Sequence, residues 1–293
     1  MAAHGYTHWY NGALVTASGS TASKPEVGSD TLLDGPGLRF GASVFTTMRV
    51  YDRCLEDARS QYAAHCDRLA QSVCAFGWQA PSWSSVYEGC QQLKHRYPVL
   101  RLTLFPDGSE WITGRALPPQ LMQQQQSGIA CWLAPPTYAR SLPTHKTGNY
   151  LACLLARQQA QRLGAEEAIL TNEQGDWLET TTGNLWGWAN GQWWTPLASS
   201  GDSPSGGGES GGGHCLPGLM RKRLQQALAA AQQRVNGQPW SQFVQADFEA
   251  IAYSNCVVEL VPIHTIFNEH TTLEYDPQHD SLKALRQRLT GST

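Results

Sequence analysis

The chain has 293 residues, a formal net charge of −3, 41% hydrophobic residues and only 15% charged residues. This length supports one large or two medium domains, each with its own core. The sparse, balanced charge argues against the basic surface that nucleic acids and anionic membranes require. No stretch reaches the roughly 18 apolar residues of a membrane span, and the first residues lack the pattern of a signal peptide. We therefore expect a cytoplasmic protein.

The eight cysteines occur singly and form no Cys-x-x-Cys pair. Most of them lie inside apolar patterns, which predicts buried, reduced thiols rather than a zinc site or a disulfide framework. The nine histidines never show the spacing of two metal ligands on one helix beside a carboxylate. We therefore expect no metal.

Strands and helices are both predicted in the first half of the chain, as in an α+β domain. The pair Asn11-Gly12 predicts a hairpin turn between strands at 7–10 and 13–15. Strand and helix patterns follow at 44–51 (strand), 57–76 and 82–95 (helices), and 99–105 and 111–116 (strands).

A domain boundary is predicted near residue 120. Residues 117–127 contain Pro118-Pro119 and a run of glutamines, a composition that is typical of an exposed connection. The Ser/Gly-rich stretch 199–213 predicts a flexible excursion. Beyond the boundary, strands are predicted at 129–133, 167–170, 185–189, 192–195, 250–254 and 257–263, and helices at 148–163, 217–235 and from 281 onward.

Three separated segments carry the chemistry. They are Gly37 to Arg49 with His65-x-x-Arg68-Leu69, His145 to Tyr150, and Leu178 to Leu185. Together with 216–221 and 255–262, and in this order, they resemble the fold-type IV pyridoxal-phosphate enzymes, a family of branched-chain aminotransferases, D-amino-acid aminotransferases and 4-amino-4-deoxychorismate lyases. The resemblance covers nearly the whole chain.

This resemblance implies a two-domain α/β fold like that of D-amino-acid aminotransferase. Residues 1–120 would form a small N-terminal α+β domain, and residues 121–293 a larger, mixed α/β, barrel-like domain that binds the cofactor. The implied cofactor is pyridoxal 5′-phosphate. The family's active site lies between domains and beside a second subunit, which implies a homodimer.

Two residues match the family's central catalytic positions. Lys146 matches the Schiff-base lysine, which attacks the cofactor's aldehyde as a free amine and then moves protons above it. Glu179 matches the glutamate that keeps the pyridine nitrogen protonated, so that the ring can accept electrons. Without the resemblance, both side chains would more often be solvated surface groups.

The phosphate and the ring of the cofactor have further candidates. Arg68 matches the family's phosphate-binding arginine and could bind the phosphate in a bidentate contact. A predicted helix start contains Gly218, Leu219 and Met220, and the free backbone amides of a helix start favour an anion. An ordinary Pro-capped helix without an anion would show the same sequence pattern. Tyr150 fits a phenol at the ring hydroxyl or a core tyrosine. The two remaining candidates for binding the cofactor lie in one turn and are Asn255 and Cys256. Asn255 would also contact the substrate. His65 and His145 are interpreted as packing residues.

The reaction is indicated by Phe45-Thr46-Thr47-Met48-Arg49. Aminotransferases of the family commonly show Phe-Glu-x-x-Arg here, whereas Phe-Thr-Thr-x-Arg resembles the bacterial 4-amino-4-deoxychorismate lyases, as does the spacing from Lys146 to Tyr150. That resemblance implies release of pyruvate from aminodeoxychorismate to give 4-aminobenzoate for folate biosynthesis. Arg49, Thr47 and, more weakly, Arg39 are candidates for the substrate's carboxylates. The alternatives are an amino-acid aminotransferase and a non-catalytic protein with the same fold.

Overall fold

The computed structural model describes residues 7–16, 35–196, 215–238, 240–241, 245 and 247–290. The Ser/Gly-rich stretch predicted at 199–213 lies outside these residues. The chain forms two compact units: one comprises residues up to Pro118 together with His145–Asn149, and the other comprises Pro119–Thr144 and the residues from Tyr150 onward. In the described part of the chain, no helix is long and apolar enough to cross a membrane.

The first unit is built on a five-stranded antiparallel sheet with the order β2-β1-β5-β4-β3. Its strands are β1 (Thr7–Tyr10), β2 (Ala13–Thr16), β3 (Val44–Arg49), β4 (Val99–Leu104) and β5 (Glu110–Arg115), and its helices are α1 (Pro36–Phe40), α2 (Tyr62–Ala75) and α3 (Trp83–Leu93). Asn11 and Gly12 both have positive φ, as the predicted hairpin turn requires. The first hairpin is therefore confirmed.

The core of the first unit lies between this sheet and its helices. Val44 and Met48, four residues apart along β3, pack with Leu69 and Val73 of α2. Helix α2 begins five residues later than the sequence predicts, because Gln61 adopts a left-handed conformation with φ of 53° that an α-helix cannot include. The helix thereby presents Leu69 and Val73 to β3.

The second unit contains a nine-stranded mixed sheet that curves into a half-barrel. Its strands are β6 (Ile129–Leu133), β7 (Glu167–Thr171), β8 (Trp177–Thr180), β9 (Asn184–Ala189), β10 (Gln192–Thr195), β11 (Val235–Gly237), β12 (Ala250–Asn255), β13 (Glu259–Phe267) and β14 (Thr272–Glu274). The order is β11-β10-β9-β12-β13-β6-β7-β8, and β14 pairs with β13. The pairs β10/β11, β13/β6 and β6/β7 are parallel, and the others are antiparallel.

Four α-helices and one short 3-10 helix accompany this sheet in the described residues. They are α4 (Leu121–Ser127), α5 (Leu151–Arg162), α6 (Leu219–Ala230), α7 (Asp280–Thr290) and the 3-10 turn Pro136–Tyr138. Helices α6 and α7 pack with Trp186 and Leu260 in one core cluster. The buried face of α5 is formed by Cys153, Ala156 and Ala160, and these small residues pack against Ala168 of β7.

Three sequence predictions are wrong in detail. Residues 121–127 form α4 rather than an exposed connection, because Leu121 is buried and glutamine, methionine and leucine all favour helices. Helix α6 begins after Pro217, with Gly218 as its N-cap, and ends at Ala230 instead of reaching residue 235. The cysteines are not uniformly buried. Cys90, Cys131, Cys153 and Cys215 are, whereas Cys74 is exposed and Cys54, Cys66 and Cys256 are half-buried.

Candidate functional site

The segment around Lys146 is attached to the outer edge of β3. The Phe45 amide donates to the Lys146 carbonyl at 2.8 Å, and the Gly148 amide donates to the Ser43 carbonyl at 2.6 Å. Thr147 forms an antiparallel bridge with Val44 between these two bonds. A Cβ atom on Gly148 would lie 2.1 Å from Ser43 Oγ and 3.1 Å from the Gly41 carbonyl oxygen, so a larger residue would require Ser43 to move. The lysine is therefore held by backbone pairing within the first unit.

The side chain of Lys146 lies on one face of β3. Its Nζ is 4.8 Å from the centre of the Phe45 ring, a cation–π contact. Side chains alternate along a strand, so Thr47 and Arg49 share this face with Phe45. The Arg49 guanidinium lies 4.6 Å from the centre of the Tyr51 ring. The structure thus places the Lys146 side chain on the face of β3 that also carries Thr47 and Arg49.

Arg39 belongs to a different environment. It lies in α1, a five-residue helix with no buried residue, and its guanidinium is 5.5 Å from the ring centre of Phe40. Both Arg39 and Phe40 are exposed. The C-cap of this helix, Gly41, lies close to Asn149 of the lysine segment.

A polar row on α2 faces β3 and His145. Within this row, His65 Nδ1 lies 2.5 Å from Thr46 Oγ1, Arg68 Nη2 donates to the same hydroxyl, and Ser72 Oγ lies 3.0 Å from His145 Nδ1. The His145 ring also packs on Phe76, with ring centres 4.6 Å apart, as its interpretation as a packing residue predicts. Complete burial holds the pKa of His65 well below its ordinary value, and the charges of Arg68 and Lys146 add to this effect. His65 is therefore neutral at pH 7.

In the second unit, Glu179 forms a buried ion pair. Glu179 lies within β8, opposite Leu170 of β7. Its Oε1 accepts a bond of 2.9 Å from Arg140 Nη1, and its Oε2 accepts a bond of 3.1 Å from the Leu216 amide. The Arg140 and Glu179 side chains are only 4% and 6% exposed. This carboxylate is thus fixed by two donors inside the protein.

Arg140 is a site residue that the sequence does not reveal. Burial is the largest single influence and lowers the pKa of its guanidinium, but the charge and hydrogen bond of Glu179, with Tyr150 and Cys153 nearby, together raise that pKa by more, so Arg140 stays charged. The guanidinium also lies 5.5 Å from the ring centre of Tyr150, which joins Tyr150 to the same cluster. Burial raises the pKa of the Tyr150 phenol, which keeps it protonated. No motif contains Arg140, because a single arginine in a loop carries no pattern.

The loop after Glu179 is fixed from both ends. Thr181 Oγ1 and Thr182 Oγ1 donate to the two carboxylate oxygens of Glu167, which is buried, and the second of these bonds is 2.7 Å. Asn255 Nδ2 donates to the Thr182 carbonyl at 3.3 Å, while its Oδ1 accepts the amides of residues 257 and 258. Asn255 therefore joins two loops. Glu167 is a second residue that the sequence does not single out.

The start of α6 presents backbone amides. Gly218 is the N-cap, and within the described residues no side-chain cap bond forms at this helix start, where Leu219 and Met220 lie in the first turn. Such a helix end can bind an anion through its N–H groups and its dipole. The preceding residue pair is anchored by Asn184, whose Nδ2 donates to the Leu216 carbonyl at 2.8 Å. Cys256 packs, half-buried, against the cluster that contains Met220.

The contacts within each unit therefore gather the predicted site residues into two sets. Lys146, Arg68, Thr47 and Arg49 lie on or beside β3 of the first unit. In the second unit, the Arg140–Glu179 pair connects Tyr150 with the segment that leads into α6, and Asn255 fixes the loop that follows Glu179.

Comparisons with known proteins complete the description. The model of the family "Amino-transferase class IV" matches residues 43–266. The branched-chain amino acid aminotransferase of Escherichia coli is 20% identical, with a TM-score of 0.73 over 98% of this chain and 94% of that one. A hypothetical aminotransferase from Mycobacterium tuberculosis in its PLP-bound form is 15% identical, with a TM-score of 0.72 over 98% and 100%.

A third similar structure comes from Legionella pneumophila. It is a protein to which the activity of 4-amino-4-deoxychorismate lyase is provisionally assigned, and it is 19% identical, with a TM-score of 0.68 over 87% of this chain and 92% of that one. No curated protein sequence matches this chain. At these identities the structural likeness establishes the fold.

Proposed function

Since the chain belongs to the class IV aminotransferases, we propose that it is a lyase of this family that converts 4-amino-4-deoxychorismate to 4-aminobenzoate and pyruvate. The fold is that of the fold-type IV enzymes, and the cofactor is pyridoxal 5′-phosphate. The choice of lyase is supported by the segment from Phe45 to Arg49 in β3, which reads Phe-Thr-Thr-Met-Arg where the family's aminotransferases commonly carry Phe-Glu-x-x-Arg. The spacing from Lys146 to Tyr150 supports it as well.

The residues present fit this cofactor. A carboxylate offers about four acceptor positions, and the described bonds use two of those of Glu179, so it can also accept the N–H of a pyridinium. Arg140 holds this carboxylate in place through the buried ion pair, and a carboxylate beside the ring nitrogen favours its protonated form. The uncapped amides of Leu219 and Met220 suit a phosphate, as does the Arg68 guanidinium. Tyr150 supplies a protonated phenol.

We assign the steps of the reaction as follows. When bound, the cofactor supplies an electron-accepting ring joined to the amine of the substrate. Lys146 would hold the cofactor through its Nζ, and as a free amine it would remove the proton from the amine-bearing carbon of the substrate. The C–O bond to the enolpyruvyl group breaks, that group leaves with the bonding electron pair, and a proton converts it to pyruvate. Arg49 and Thr47 bind the substrate's carboxylates.

An amino-acid aminotransferase is the second candidate. Its support is the likeness to the branched-chain aminotransferase of Escherichia coli, which has a higher TM-score than the lyase-like structure. A protein with this fold that binds without catalysis is the third, and Lys146 and the buried Glu179 argue against it. We also propose, from the family resemblance, that the active form is a homodimer, which should sediment at twice the chain mass of 32.2 kDa.

One assay separates the first two candidates. Aminodeoxychorismate, generated by a partner synthase, is supplied without any keto acid. A lyase regenerates its cofactor in every cycle, so we expect 4-aminobenzoate and pyruvate to accumulate in equal amounts through many turnovers. An aminotransferase stops after one turnover until a keto acid arrives. The lyase is ruled out by two results together. No 4-aminobenzoate forms, and glutamate or a branched-chain amino acid converts the yellow aldehyde form of the cofactor to its amine form, from which 2-oxoglutarate restores the aldehyde. Lys146→Ala is the inactive control in either case.

A further inference from the structure

A buried hydroxyl interrupts the apolar face of β3. Val44, Thr46 and Met48 point to the same side of this strand, toward α2. Val44 and Met48 belong to the hydrophobic core, and the Thr46 side chain between them is fully buried. A buried hydroxyl is costly unless it forms hydrogen bonds, so the partners of Thr46 define its role.

Both partners of Thr46 lie on α2, one turn apart. Arg68 donates through Nη2 to Thr46 Oγ1, and a guanidinium has no acceptor, so the threonine oxygen must accept this bond. The hydroxyl hydrogen therefore remains available to His65 Nδ1, which lies 2.5 Å from the same oxygen. In the described part of the chain, these two side chains are the bonding partners of that hydroxyl.

The Thr46 hydroxyl favours one tautomer of His65. With the Arg68 bond on the hydroxyl oxygen, the hydroxyl hydrogen is placed to donate to Nδ1, which puts the proton of the neutral imidazole on Nε2. A second proton is disfavoured by complete burial and by the positive charges of Arg68 and Lys146. Among the described residues, Nε2 is buried and has no hydrogen-bond partner. The one strong polar bond of the His65 ring is therefore the bond to Thr46.

We propose that Thr46 is a positioning residue for phosphate binding: its hydroxyl accepts from Arg68, donates to His65, and so holds the guanidinium in one orientation. The inference rests on the proposed function only in assigning the cofactor's phosphate to Arg68. The hydroxyl-centred bridge itself is a property of the first unit and needs no ligand.

The bridge predicts a specific loss when the hydroxyl is removed. An arginine side chain has several rotatable bonds, and a fixed guanidinium binds a phosphate better because less entropy is lost on binding. Thr46→Val keeps the size and the β-branch but removes this bond, so Arg68 loses one of the contacts that orient its guanidinium. The variant should then bind pyridoxal 5′-phosphate more weakly, whereas pyridoxal, which has no phosphate, should be unaffected.

Three variants and two ligands make the test specific. Thr46→Val removes the hydroxyl, Thr46→Ser retains it, and Thr103→Val is the matched control, because Thr103 is a buried threonine on the adjacent strand β4 with no described bond to a basic group. Dissociation constants of pyridoxal 5′-phosphate and of pyridoxal are measured on the full-length apoenzyme by absorbance and fluorescence.

The expected result is a loss confined to one variant and one ligand. Thr46→Val should lose about tenfold or more in affinity for pyridoxal 5′-phosphate and less than about twofold for pyridoxal. Thr46→Ser and Thr103→Val should stay within about threefold of the wild type for both ligands. Equal losses for the two ligands would mean that Thr46 has a structural role alone, and unchanged affinities would also overturn the proposal.

The bridge can also be measured without any cofactor. In apoenzyme with ¹⁵N-labelled histidine, long-range ¹⁵N–¹H spectra should show His65 as the neutral Nε2–H tautomer at pH 7, and Thr46→Val should change this pattern. A protonated His65, or the Nδ1–H tautomer, would refute the bridge. If the wild type fails to bind pyridoxal 5′-phosphate, the proposed function fails and the phosphate assignment fails with it, while these spectra still decide on the bridge.

Discussion

The buried pair Arg140–Glu179 should respond to substitution in a way that surface ion pairs do not. Both side chains are almost fully excluded from water, and the two atoms in contact are 2.9 Å apart. Removing one partner of such a pair leaves an uncompensated buried charge, which typically costs 3–5 kcal/mol. We therefore expect Arg140→Met to lower the free energy of unfolding by about 3–5 kcal/mol.

The sharper expectation concerns the double variant. Glu179→Gln alone removes a charge that Arg140 needs and should destabilise the protein. In the Arg140→Met background the same change removes the uncompensated carboxylate, so it should stabilise the protein. The effect of Glu179→Gln thus changes sign, and the coupling free energy between the two sites should reach about 2 kcal/mol or more.

The assay is urea unfolding of the cofactor-free enzyme, followed by tryptophan fluorescence, since Trp177 and Trp186 lie in strands of the second unit. Omitting the cofactor avoids stabilisation by a bound ligand. Lys283→Met is the control, because its ion pair with Asp280 is exposed and should leave the unfolding midpoint unchanged. The reasoning is refuted if Arg140→Met resembles this control, or if the two substitutions are simply additive.

Three further predictions concern the cofactor and pH. The purified enzyme should be yellow, and borohydride reduction followed by peptide mapping should place the cofactor on Lys146; an adduct on Lys94 or Lys222 would contradict the assignment. Glu179→Gln should retain the cofactor but lose about a hundred- to thousandfold in turnover, typical of an active-site electrostatic partner, and wild-type activity in the folded, loaded variant would exclude that role. His65 should make stability pH-dependent: its pKa is low in the folded state and about 6.5 in the unfolded chain, so the unfolded state binds the extra proton. The contribution of His65 to the free energy of unfolding is complete above about pH 6.5 and should fall by about 1.4 kcal/mol per pH unit below that value. If the free energies of unfolding of the wild type and of a His65→Gln variant depend on pH in parallel, this expectation is disproved.

Local patterns predicted most of the secondary structure. The Asn-Gly pairs at 11–12 and 190–191 mark hairpin turns in which both residues have positive φ. Strand and helix periodicity located β3, β10 and α3 to within a few residues. Helix α4 was missed because Pro118-Pro119 and the glutamines were interpreted as a linker, although glutamine itself favours helices. The correct predictions share a cause, because a short sequence pattern reflects structure that forms between neighbouring residues.

The candidate site was predictable only where a family motif carries it. Lys146, Glu179 and Arg68 were singled out by resemblance, and their roles remain predictions. Arg140 and Glu167 were not found, because each acts through a residue that is distant in the sequence and each lies outside the motifs. Thr46 was part of a motif, but its bonds to α2 require the packing of strand and helix.

The pairing of residues 146–148 with β3 also has a consequence for synthesis and folding. Phe45 and Lys146 are joined by a backbone bond although about 100 residues separate them, and contacts of such high sequence separation form slowly. Until the ribosome has made residues 146–148, the Ser43 carbonyl and the Phe45 amide at the outer edge of β3 lack these two bonds. Unpaired strand edges promote association with other chains. The lysine segment therefore also protects the nascent protein, and a fragment that ends at residue 120 would expose a sheet edge prone to aggregation.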